Sequence, residues 1–260
     1  MEYFFTYETD LPAGVGYELF HTEHFIILAL CFAVTAAGIF LYRRLKGDSH
    51  RSVFRRILAV ASVFLILIRL LYVYLCGARL IYDLPLHFCS IAGMICFIYE
   101  FLIRRMPGVM HSMAEQVLYS LCLPGAVLAL VFSDGTAYPP VHFVTIQSTL
   151  FHVLIILYVA AGLSDGSISP SFKKAYLSVL FLVILVPPIL IFDMYTRTDY
   201  MFLLYPSAGS PLAGAFIRYG YAGYMLFYGL AAVTEIYMIN LLSPLFKTGR
   251  RHPCNASADR

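Results

Sequence analysis

Seven runs of apolar residues dominate this chain, each close to the ~20 residues that an α-helix needs to cross the hydrocarbon core of a bilayer. They lie at about 24–42, 57–76, 84–103, 115–132, 141–163, 174–194 and 219–242. In lipid every backbone amide must be paired within its own segment, and these runs are too long and continuous for barrel strands, so helix is the assignment. The composition agrees. Of 260 residues, 60% are hydrophobic and 13% charged, where soluble domains carry about a quarter charged. A soluble globular fold, a disordered chain and a disulfide scaffold are excluded. The expectation is an all-α polytopic membrane protein with one seven-helix domain over residues 1–260. It has a short acidic N-terminal segment, 1–23, a basic tail, 245–260, and no room for a second soluble domain.

Fourteen of the eighteen Lys and Arg residues fall in alternate gaps: Arg43 to Arg56, Arg104–Arg105, Lys173–Lys174 and the tail from Lys247 to Arg260. The opposite side holds Arg79, Arg197 and Arg218, and Arg69 lies inside the second run. The positive-inside rule then puts the N-terminus outside and the C-terminus in the cytoplasm. The net charge of +3 reflects this loop bias and is no sign of nucleic-acid binding. The start of the chain, Met1 to Phe5, lacks a basic n-region, so a cleaved signal peptide is not expected. Residues 195–218 form the longest non-cytoplasmic connection, suited to capping the bundle or lying in the interface. Pro124 and Pro187–Pro188 kink their spans.

Ionisable groups inside a span are costly, so each is a functional candidate. Here they are Arg69, His87, Glu100, His152 and Glu235. Arg69 and Glu235 sit at similar depths and are expected to pair. Glu100, near the cytoplasmic edge, is expected to be solvated or to snorkel. The third run opens Asp83-Leu84-Pro85-Leu86-His87-Phe88-Cys89, with Pro85 suited to the first helical turn. Cys89, Cys96 and Glu100 then share a helical face. His87, two residues from Cys89, points elsewhere. In the fifth run Thr145, Ser148 and His152 share a face that should look inward.

Cys89 stands 15 residues before Arg104, and His152 stands 11 before Leu163. Their depths therefore differ by about 6 Å at 1.5 Å per residue. A histidine beside a cysteine takes the thiol proton and makes a nucleophile. The alternatives are an inert buried thiol and a satisfied structural histidine. None of the six cysteines has CxxC spacing. His21 and His24 stand at i, i+3 without an HExxH context. No metal or cofactor is expected.

Leu84-Pro85-Leu86-His87-Phe88-Cys89 resembles the LPLHLC motif of YwaF-like bacterial integral membrane proteins. The likeness continues with Gln147 to His152, and with Asp199-Tyr200-Met201-Phe202-Leu203 followed by Pro206. Asp199 departs from the family's asparagine. That family is similar to the transmembrane protein 164 family, which includes a cysteine-dependent acyltransferase acting on ether phospholipids. It is also similar to the androgen-induced lipid hydrolases, which use threonine and histidine. The resemblance implies an intramembrane acyl-transfer site at Cys89 and His152 in a bacterial cytoplasmic membrane, with membrane phospholipid as substrate. His87, Gln147, Ser148 and Asp199 are the substrate-binding or orienting candidates. The rival readings are a transporter or channel with a polar path through Arg69, His152 and Glu235, and a non-catalytic assembly component.

Overall fold

A computed structural model describes residues 3–133, 135–207, 210 and 212–246. The helices are α1 (Thr22–Arg44), α2 (Asp48–Leu75), α3 (Phe88–Phe101), α4 (Val109–Val117), α5 (Leu123–Val131), α6 (Phe143–Asp165), α7 (Tyr176–Thr196) and α8 (Ala213–Leu241). A π-helical turn, Leu118–Cys122, joins α4 to α5 in one rod. Counting that rod once, seven rods match the seven apolar runs. Six are long and apolar enough to cross a membrane, and α3 is a shorter apolar helix. With 14 residues, α3 is about 21 Å long, short of a ~30 Å hydrocarbon core.

Burial ranks the rods. The most apolar stretch of α6 is 56% buried, whereas those of α1 and α8 are 11% buried. The interior is therefore built around α6, against which α1, α2, α3 and α5 pack. Phe151, Ile155, Tyr158 and Val159 of α6 meet Cys96 and Tyr99 of α3 and Leu118 and Cys122 of the π turn in one core. Gly93 lets α3 approach the Phe151 ring of α6 closely. A Cβ there would stand 2.8 Å from the Phe151 ring, inside contact distance. At Gly220, φ is +67°, and the backbone of α8 is interrupted there. A side chain would strain that conformation.

Charged side chains tie the helices together at the α1–α2 turn. Arg55, 2% exposed, binds Glu100 of α3 at 3.3 Å and also Asp165 of α6 and the Tyr42 hydroxyl of α1. Tyr42 donates to Asp165 at 2.5 Å, and Tyr158 donates to Glu100 at 3.1 Å. Arg104 closes on Glu100 at 3.0 Å. Glu100 is thus buried within a network that joins α1, α2, α3 and α6, not a solvated or snorkelling group as its position suggested. Burial of such a carboxylate is stable only with its cations in place.

The opposite end is capped. The His142 ring bonds the Thr6 carbonyl at 3.0 Å, Tyr72 donates to the same carbonyl at 3.0 Å, and the Phe143 amide donates to the Phe4 carbonyl. Tyr7 and Arg69 both donate to Asp83, at 3.1 and 2.9 Å. The expected Arg69–Glu235 pair is therefore absent: Asp83, in the connection between α2 and α3, holds Arg69 instead. Glu235 keeps one carboxyl oxygen buried without a partner. Residues 195–207 cap the bundle. Cys254 and the basic residues from Lys247 onward lie outside the described residues.

Candidate functional site

α3 starts later than its apolar run. The Leu84 amide is held by the Tyr200 hydroxyl at 2.9 Å, and the Leu86 amide turns back to the Leu84 carbonyl. Pro85 therefore lies in the connection, outside the first helical turn, and His87 is the N-cap. Cys89 falls in the opening turn of α3, at its second residue. The first intrahelical bond runs from the Ile91 amide to the His87 carbonyl. The amides of Phe88, Cys89 and Ser90 have no intrahelical partner, as at any helix start. No His87 side-chain bond caps them. Instead the His87 Nδ1 accepts from the Met201 amide at 3.4 Å. Burial pushes the His87 imidazole below its ordinary pKa, which suits a neutral acceptor.

A strained connection covers this helix end. Asp193, fully buried, accepts from the Thr198 hydroxyl at 2.7 Å and the Tyr200 amide at 3.0 Å. The Tyr200 hydroxyl donates to the Ile81 carbonyl at 2.5 Å. Met201 and Phe202 both have positive φ, +57° and +56°, a conformation that costs roughly 1 kcal/mol or more per residue. Their carbonyls are held by Tyr228 at 2.9 Å and Tyr224 at 2.5 Å. Tyr228 and Cys122 also lie within electrostatic reach of Cys89. Asp199 accepts from the Leu204 and Tyr205 amides at 2.8 and 3.2 Å, which shapes the turn. Burial raises its carboxyl pKa above the ordinary carboxylate value.

His152, 7% exposed, hydrogen-bonds the Ser148 carbonyl through Nδ1 at 2.7 Å. A carbonyl only accepts, so Nδ1 carries the proton and the neutral ring presents a lone pair at Nε2. That nitrogen is buried with no hydrogen-bond partner. The other two buried histidines differ. His24 bonds the Leu130 carbonyl and accepts from the Phe20 amide, both at 3.0 Å. His142 is likewise bonded at both nitrogens, to Thr6 and Val144. Of these three rings, His152 alone keeps an unused nitrogen.

Gly93, one turn along α3 from Cys89, abuts the ring of Phe151, the residue before His152. Gly93 thus packs α3 on α6 one residue from His152 and four from Cys89 along their own helices, and successive residues on a helix point about 100° apart. No direct hydrogen bond joins Cys89 and His152, since Nε2 has none. Gln147 donates to the Leu65 carbonyl of α2 at 3.0 Å, so its amide is tied to a neighbouring helix. Ser148 contributes through its carbonyl. A cavity of about 530 Å³ opens between the N-terminal segment, α1 and residues 139–141, with Phe4, Glu23, Ile26, Leu30 and Val141 in its wall; neither Cys89 nor His152 lines it.

Sequence reasoning missed Asp193, Tyr228 and the positive φ of Met201 and Phe202 within the segment it had singled out. Asp193 was readable as a carboxylate at the end of an apolar run. The backbone strain has no signal in residue type. A model of the TMEM164 family matches residues 19–240. No curated protein and no solved structure matches the chain.

Proposed function

The chain belongs to the TMEM164 family, and from that premise we propose that it is a lipid acyltransferase or hydrolase with Cys89 as nucleophile and His152 as base. The observation that carries the reading is the buried, unpartnered Nε2 of His152; the α3–α6 packing of Gly93 on Phe151, the residue before His152, brings the helix of Cys89 against the helix of His152. An unsatisfied ring nitrogen in a core is costly, and a proton-accepting role accounts for it.

In this reading Nε2 takes the Cys89 thiol proton as sulfur attacks the carbonyl carbon of a phospholipid ester. The carbonyl electrons move to oxygen. The open amides at the start of α3 and the positive end of its dipole suit that developing negative charge. Collapse breaks the ester C–O bond, and the alkoxide of the lysolipid leaves with the proton from Nε2. The acyl group then rests on Cys89 as a thioester. An acceptor hydroxyl, or water, gives its proton to Nε2, attacks the thioester and regenerates the thiol. The Ser148 carbonyl keeps the ring oriented throughout, and His87 holds the covering connection through Met201. The N-out, C-in orientation in a bacterial cytoplasmic membrane belongs to the same proposal and rests on the loop charges.

The test is lipid composition of cells carrying the wild-type protein or the Cys89→Ala form. Acyl redistribution or lysolipid formation should require the thiol. Identical lipid profiles, with both proteins present at equal levels, would remove the enzymatic reading.

A further inference from the structure

The ion network at the α1–α2 turn opens into a cavity of about 280 Å³, walled by Asp48, Arg51, Arg55, Arg104, Asp165 and Ser167. Three guanidinium groups face two carboxylates there. Arg55 spends Nε on Glu100 and Nη1 on Asp165 and Tyr42. Arg51 gives its Nε–H to the Leu45 carbonyl at 3.3 Å, and its guanidinium lies 6.0 Å from the Tyr42 ring. It makes no ion pair with a carboxylate among the described residues. Arg104 uses Nη1 on Glu100, and its side chain is 29% exposed. Each therefore keeps donors for the cavity. The start of α2 adds to this: its N-cap is Gly47, which has no side chain to cap the first amides, so the positive end of a 28-residue helix is open beside the arginines.

We infer that this cavity binds a phosphate group, with Arg51 and Arg104 as its ligands, while Arg55 offsets the charge of Asp165 and Glu100 at its base. Two guanidinium forks match the oxygen geometry of a phosphate and give charge-assisted hydrogen bonds. The volume accommodates a phosphate with part of its substituent, either a lipid headgroup or a free phosphate. Asp48 is exposed on the rim and repels the anion, so it weakens the site. Glu100 lies 11 residues from Cys89 on α3, about 16 Å along the helix. The cavity is thus remote from the candidate thiol and stands independently of the acyl-transfer reading.

The test uses the full chain. In one arm the protein in phosphatidylcholine nanodiscs is titrated with inorganic phosphate by calorimetry. In the other, thermal stability is compared between phosphatidylcholine and phosphatidylglycerol nanodiscs without phosphate. A response in the first arm identifies a free phosphate, and a response in the second alone identifies a headgroup. In the responding arm, Arg51→Gln or Arg104→Gln should weaken the response roughly tenfold, and Asp48→Asn should strengthen it. Arg51 carries only one backbone bond, so its variant tests the site even if Arg104→Gln fails to fold. Silence in both arms, an unchanged response in Arg51→Gln, or a weaker one in Asp48→Asn, would overturn the assignment.

Discussion

At His24 and His142 both ring nitrogens serve the backbone, whereas His152 uses one and leaves the other unpaired. His24→Ala or His142→Ala is therefore expected to cost about 1–3 kcal/mol, read as a lower melting temperature in detergent. His152→Ala exposes only a carbonyl that α6 already pairs in its own ladder, so the fold should persist. What should vanish is the selective reaction of a lipophilic electrophile with Cys89 over Cys31, Cys76, Cys96 and Cys122. A melting loss at His152 as large as at His24 would make it a structural ring. His142 adds a pH dependence, because burial holds its imidazole below the ordinary value. The unfolded chain then binds the proton first. Its contribution is present above about pH 6.5 and is lost as pH falls toward the depressed folded value. Amide exchange in residues 3–11 should accelerate on acidification; a flat profile would contradict this. His152 was singled out because a polar group stands out in an apolar run, and Cys89 by its depth and its place in the resembling motif. The partners of Arg69 and Glu100 were not legible, since counting residues gives a height in the membrane and no direction around the helix.

Between elements, the α3–α6 approach at Gly93 joins the packing to the site. Gly93→Val would drive branched carbons into the Phe151 ring, at a cost of about 1–3 kcal/mol. Because Phe151 adjoins His152, Cys89 reactivity should fall with it. Full reactivity in a destabilised Gly93→Val protein would separate the packing from the site. Asp193 is the second lever. Its carboxylate holds Thr198 and Tyr200, and Asp193→Ala should release the connection over α3, seen as faster proteolysis within residues 197–205. The existence of every rod was readable from apolar run length. The π turn was not, since no residue type demands an extra residue per turn. The start of α3 was misjudged because Pro85 suits both a first helical turn and the connection before it, and the Tyr200 hydroxyl decides in favour of the connection.

For the whole molecule, the apolar runs specify an all-helical membrane bundle, and the family match over residues 19–240 agrees with the resemblance carried by residues 84–89 and 147–152. The end caps were less legible, because they depend on side chains from distant segments meeting backbone groups. Orientation rests on loop charge alone. An impermeant thiol reagent should label Cys254 only after the cytoplasmic side is opened, and labelling in intact cells would reverse the topology. The central claim, a Cys89 acyl-enzyme formed with His152 as base, is tested by intact-protein mass spectrometry in phospholipid nanodiscs. An acyl adduct removable by hydroxylamine should map to Cys89 and be missing from Cys89→Ala and His152→Ala. Either no adduct on the wild-type chain, or one that persists in His152→Ala or maps to another cysteine, would contradict the account.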